Sequence, residues 1–75
     1  MRNRQTFGMC VRFNDGCTEV RSLTLPELRE SLRANRDASN LVSPAFTVAQ
    51  AMRDIMDEQC FEIHFNTFKV VYEKD

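Results

Sequence analysis

The sequence predicts an α+β fold in which two β-hairpins flank a helical centre, in the order β-β-α-α-β-β. The simplest packing is an antiparallel four-stranded sheet with both helices on one face. Three features lead to this reading: two stretches that alternate apolar and polar residues, a turn signal inside each, and a capped helical start between them.

In the first stretch Phe7, Met9, Val11 and Phe13 fall on one face of a half-buried strand. Asn14-Asp15-Gly16 follows, and Asp-Gly favours a two-residue turn because both of its positions take positive φ. A turn at Asp15-Gly16 sets Val11 opposite Val20, Phe13 opposite Thr18 and Arg12 opposite Glu19. A three-residue loop would set Val11 opposite Glu19, a poorer pair.

Thr24-Leu25-Pro26-Glu27 reads as a capping box, with Leu23 and Leu28 at the positions of a hydrophobic staple. Pro26 falls in the first turn, where its missing N–H does little harm. Leu25, Leu28 and Leu32 make the apolar stripe of this helix, which is expected to end near Asn35 or Arg36. Residues 36–43 form a polar connection with Leu41 and Val42 beneath it. The second helix begins at Pro44 after Ser43 or at Val48 after Thr47, with Val48, Met52, Ile55 and Met56 facing the core. Asp57 and Glu58 then sit at its C-terminal end, where negative charge is unfavourable.

The strongest pattern is the last. Phe61, Ile63 and Phe65 alternate, Asn66-Thr67 turns, and Phe68, Val70 and Tyr72 alternate back. A two-residue loop pairs Phe65 with Phe68, Ile63 with Val70 and Phe61 with Tyr72, all on one face. Such pairs contribute about 0.2–1 kcal/mol each, so the register is strongly specified. Strand order in the sheet does not follow from the sequence.

Seventy-five residues, 43% hydrophobic with seven aromatics, suit one small domain spanning residues 1–75, with residues 1–5 expected to be a flexible N-terminus. No stretch approaches the roughly 18 apolar residues of a membrane span, and no apolar region follows the basic start as in a secretory signal. Three cysteines are too few, and odd in number, for a disulfide framework. A cytoplasmic protein with reduced thiols is the expectation.

Metal binding and Cys/His catalysis are geometrically poor. Cys60 and His64 stand four apart on one strand, about 13 Å along it, whereas zinc ligands lie about 2.0–2.3 Å from one ion and a nucleophile and its base within about 3.2 Å. Cys10 and Cys17 do not oppose one another. With two glycines and a single histidine there is no phosphate cradle, so neither enzyme activity nor a cofactor is expected.

Net charge is −1 but unevenly spread: residues 1–36 hold seven arginines against four acids, residues 37–75 three bases against seven acids. Arg29, Arg33 and Arg36 form a stripe on the first helix which, with Arg2 and Arg4, makes nucleic acid the second partner class considered. A pI near 5.8 and the normal preference of cations for helix C-termini count against it.

The first class is a protein partner of unknown identity, bound on the outer face of the sheet. In these registers that face carries Gly8, Cys10, Arg12, Cys17, Glu19, Arg21 and Leu23 from the first hairpin. The second hairpin adds Cys60, Glu62, His64, Lys69, Val71 and Glu73. Cys10, Arg12, Glu19, Arg21, Glu62, His64, Lys69 and Val71 are the candidate interface, since mixed small, apolar and charged residues suit a covered surface. A homodimer through the same face is the self-associating form of this expectation. A small module of this kind fits an inhibitor, adaptor or regulator, accessory proteins of mobile elements included.

Overall fold

The computed structural model describes residues 5–75. Its elements are β1 (Phe7–Phe13), β2 (Gly16–Leu23), α1 (Leu25–Arg36), α2 (Val48–Glu58), β3 (Cys60–His64) and β4 (Lys69–Lys74). They form one antiparallel sheet in the order β2-β1-β4-β3, with both helices packed against it. The two hairpins meet through β1 and β4, Val11 opposite Val70 and Met9 opposite Tyr72. Residues 5 and 6 therefore lie beside the last residue: the Asp75 amide donates to the Thr6 carbonyl, and Gln5 Nε2 to the carbonyl of Asp75. Gln5 is thus tied to the last residue, whereas residues 1–4 of the expected flexible N-terminus lie outside the described residues.

The second hairpin has the register its alternation specifies, with Phe61 opposite Tyr72 and Ile63 opposite Val70. The Phe65 amide donates to the Phe68 carbonyl at 2.8 Å and closes the turn. Ile63 and Tyr72 are fully buried and join Phe7, Leu28, Leu32, Ala51, Ile55, Phe65 and Val70 in one core.

The first hairpin differs from expectation. Its turn is Asn14-Asp15, not Asp15-Gly16, so Arg12 opposes Cys17, Val11 opposes Thr18 and Met9 opposes Val20. Neither Asn14 nor Asp15 takes a positive φ, so the expected primed turn does not form, and Gly16 becomes the first residue of β2. Burial does not correct the register, because Gly16 to Ser22 are all exposed; register is weakly specified where no face is buried. The slip is by two residues, so each side chain keeps its face.

Leu23 is the exception. Arg21 and Ser22 together oppose Gly8 in a β-bulge, with Ser22 at φ 64°. The bulge rotates Leu23 off the outer face, where it was expected, to pair with Phe7 and pack on the core. Left-handed backbone at Ser22 costs about 1–2 kcal/mol, which burial of Leu23 offsets.

Helix α1 opens as its sequence indicates. Glu27 N–H donates to Thr24 Oγ1, and the Thr24 amide donates to Glu27 Oε1 at 2.8 Å. Leu28 and Leu32 are buried, but Leu25 stands clear at 41% exposure, one residue into the helix and outside the reach of the core. Helix α2 starts at Val48 with Thr47 as its cap. Its buried face is Ala51 and Ile55, and Met56 is exposed at 44%. A small alanine at the contact lets α2 sit close, which turns Met56 outward. The helix runs through Asp57 and Glu58 to a left-handed Gln59, and the Lys74 ammonium donates to the Met56 carbonyl at 3.2 Å, placing a cation at this acidic end.

Tyr72 fastens α1 to the sheet. Its hydroxyl hydrogen-bonds Ser31 Oγ at 2.7 Å and accepts from Asn35 Nδ2. Burial raises its pKa above the ordinary 10.0, partly opposed by the bonds from Ser31 and Asn35. Tyr72→Phe leaves both partners without their bond and is expected to cost about 1–2 kcal/mol. Because the folded pKa is raised, this tyrosine's contribution is complete below pH 10.0 and declines as pH rises above it, where only the unfolded phenol ionises. Denaturant titrations of both proteins from neutral to alkaline pH check this: wild type is expected to lose stability above pH 10 more steeply than Tyr72→Phe.

Candidate protein-binding face of the sheet

Helices cover one face of the sheet; the even-numbered residues of β1 and the odd-numbered residues of β4 point to the other. The registers bring them into rows. One row runs Cys17, Arg12, Lys69, His64; the next runs Glu19, Cys10, Val71, Glu62. A third holds Gly8, Glu73 and Cys60, with Arg21 beside it on the bulged strand. All eight candidate residues, Cys10, Arg12, Glu19, Arg21, Glu62, His64, Lys69 and Val71, thus share one surface.

Its centre is half-buried and apolar, Cys10 against Val71, and its rim is charged. Glu62 Oε1 lies 3.1 Å from His64 Nε2 and 3.7 Å from Lys69 Nζ, and Arg21 reaches Glu19 at 3.4 Å. These pairs are exposed and add little stability, about 0–1 kcal/mol each. The rim carries Arg12, Arg21 and Lys69 against Glu19, Glu62 and Glu73, a balance of signs rather than a basic field.

His64 is held by its backbone. Its carbonyl accepts from the Val42 and Ser43 amides at 2.8 and 3.2 Å, and its amide donates to Ser43 Oγ at 2.6 Å. The Ser43 hydroxyl thus serves the His64 amide, and the imidazole serves Glu62. Cys60 stands at the opposite end of β3. Among the described residues no group of three or more His, Cys, Asp or Glu is placed to hold a metal ion.

Cys10 and Cys17 are diagonal neighbours, one pair apart on adjacent strands. The neighbouring Cys10 thiol holds the pKa of Cys17 above the ordinary 9.0, helped by desolvation and Glu19 and opposed by Arg12. The expected register had not brought these sulfurs together; the Asn14-Asp15 turn does.

The arginine stripe lies on α1, behind the sheet. Arg33 pairs with Glu30 at 3.0 Å and Arg36 with Asp37 at 3.1 Å, while Arg29 is exposed. Two of its three charges are thus matched within the helix and its cap. Arg2 and Arg4 lie outside the described residues.

One feature went unread in the sequence. Phe13, Phe68 and Phe65 form an aromatic row at the turn end of the sheet, with centroids 5.5 and 4.7 Å apart. Phe13, the last residue of β1 before the turn, stays 49% exposed. An open cleft of about 600 Å³ lies between the two hairpin turns, lined by Phe13, Phe65 and Phe68 with Arg12, His64 and Lys69. The basic row of the outer face and this aromatic row share that end of the molecule. The signal was present: Phe13 falls on the alternating face but immediately precedes a turn.

The chain matches no family model, and comparison with curated proteins and with solved structures gives no match. No helix among the described residues is long and apolar enough to cross a membrane.

The thiol pair has a direct readout. A raised pKa means less thiolate at a given pH, so Cys17 is expected to alkylate more slowly than a cysteine in an unstructured peptide despite full exposure. Cys10→Ala is expected to speed it. Peptide mapping after timed iodoacetamide treatment near neutral pH checks both; an unchanged Cys17 rate in Cys10→Ala contradicts the assignment.

Proposed function

We propose that this chain is a small non-catalytic cytoplasmic module that binds another protein on the uncovered face of its sheet, acting as an inhibitor, adaptor or regulator. The observation carrying this reading is the make-up of that face: a half-buried Cys10–Val71 centre inside a rim of both charge signs. Interfaces combine an apolar centre with a polar rim and are enriched in arginine and aromatic residues. Arg12 on the rim of that face fits that description. Balanced charge supports a protein partner over nucleic acid, whose binders present a one-signed basic surface.

A photo-crosslinking residue in place of Val71 tests the reading in cells that express the chain, with the same residue at exposed Ala34 on α1 as control. The expected result is a discrete protein adduct at position 71 alone. Arg12→Glu and Glu62→Arg are expected to weaken that adduct about tenfold, or roughly 1.4 kcal/mol, while leaving stability within about 0.5 kcal/mol. Absence of a protein adduct contradicts the reading. So does affinity for generic DNA or RNA at about 50 mM salt that falls steeply by about 200 mM, which returns the function to Arg29, Arg33 and Arg36.

A further inference from the structure

We infer that the open edge of β2 pairs with β2 of a second copy, antiparallel about a two-fold axis through Val20, to make a continuous eight-stranded sheet. This does not rest on the partner-binding reading above, since the pairing is made by the backbone edge of β2; Glu19 and Arg21, which select its register, also stand at the margin of the outer face.

The direction of each backbone group on β2 follows from the ladder. The Phe65 amide donates to the Phe68 carbonyl, so Phe68, Val70 and Tyr72 bond toward β3. Alternation along an antiparallel strand then turns Lys69, Val71 and Glu73 toward β1, engaging Arg12, Cys10 and Gly8. Met9, Val11 and Phe13 accordingly bond to β2, using Val20, Thr18 and Gly16. That leaves the N–H and C=O groups of Cys17, Glu19 and Arg21 aimed outward. Among the described residues, no backbone group outside the strand ladder bonds to them.

The opposite edge is treated differently. On β3 the outward groups of His64 are taken up by Val42 and Ser43, and Leu41 forms a bridge with Phe65. The β3 edge is thus covered by the chain itself at its His64 end, leaving only Cys60 and Glu62 outward, whereas the β2 edge, eight residues long, is bare throughout. Unpaired edges are templates for another strand.

Charge selects the register. Only alignments that match outward groups with outward groups form an antiparallel ladder, so Glu19 can oppose Cys17, Glu19 or Arg21 of the second copy. Glu19 opposite Glu19 sets like charges together, which is unfavourable. Glu19 opposite Arg21 satisfies both charges, twice by symmetry, and exchanges the N–H and C=O groups of these residues across the axis. It also brings the two Val20 side chains together, each 40% exposed in the single chain. The bulge at Ser22 ends the regular ladder beyond Arg21, so the pairing is short and self-limiting. The Glu19–Arg21 contact within each strand, 3.4 Å and exposed, is exchanged for the contact between copies.

The test is sedimentation velocity of the whole chain from about 10 to about 500 µM, where a small polar interface associates, together with residue-resolved amide exchange over the same range. The expected result is a concentration-dependent dimer in which the amides of Glu19 and Arg21 slow as the dimer forms, while Thr18 and Val20 are protected throughout. Glu19→Arg and Arg21→Glu singly are expected to weaken association at least tenfold, and the double variant E19R/R21E to restore it. Glu19→Pro removes only an outward N–H and is expected to fold yet stay monomeric. A monomer across the whole range overturns the inference. So does a dimer whose Glu19 and Arg21 amides exchange at the monomer rate, or one that the charge-swapped double variant fails to rebuild.

Discussion

Because β4 bonds to β3 through Val70 and Tyr72 and to β1 through Lys69, Val71 and Glu73, every side chain on it is committed to one face. Tyr72 lies at the middle of this arrangement, fully buried between Met9 and Phe61 on the neighbouring strands. Its hydroxyl satisfies Ser31 and Asn35, so one residue from the C-terminal hairpin sets the position of the helix following the N-terminal hairpin. Were β4 to slip by one residue, Val70 and Tyr72 would turn away from the helices and the charged residues of the outer face would be driven into the core. The bare outer face is thus a consequence of the buried inner one.

How much of this is legible in the sequence depends on how much is buried. The β3–β4 register follows from alternation alone, because Ile63, Phe65, Val70 and Tyr72 must all reach one core. The capping box at Thr24 is equally plain, since it depends on residues three apart. The β1–β2 register is not, since β2 buries almost nothing and its pairing is decided by turn geometry that Asn14, Asp15 and Gly16 leave open. Strand order was hidden for another reason: β1 pairs with β4 across some sixty residues of intervening chain, and no local pattern encodes that meeting. In α2 the helical period identified Ile55 but favoured the larger Met56 over Ala51, although close packing on β3 and β4 needs the smaller side chain.

The candidate face was legible in its membership and not in its neighbourhoods. A two-residue shift of the first hairpin moves no side chain to the other face, so all eight residues stay together. What the shift changes is who meets whom: Arg12 lies across from Cys17, and Cys10 from Glu19. That rearrangement makes Cys10 and Cys17 diagonal neighbours, while Glu19 and Arg21 stay on the outward edge as they would in either register. The aromatic row of Phe13, Phe68 and Phe65 was obscured because alternation marks residues as inward-facing without showing how deeply each is buried. The bulge at Ser22 was also unreadable, as nothing in Arg21-Ser22-Leu23 signals left-handed backbone.

The central claim is the pairing that separates a covered face from a bare one, and short Hα–Hα contacts in a proton NOE spectrum test it most directly. Such contacts arise at the non-hydrogen-bonded pairs of an antiparallel ladder, where Cα atoms approach to about 4.5 Å. The account predicts them between Glu62 and Val71, Met9 and Tyr72, Val11 and Val70, and Cys10 and Glu19. A contact between Glu62 and Val70, or between Met9 and Val71, would place the opposite set of side chains against the helices and contradict it.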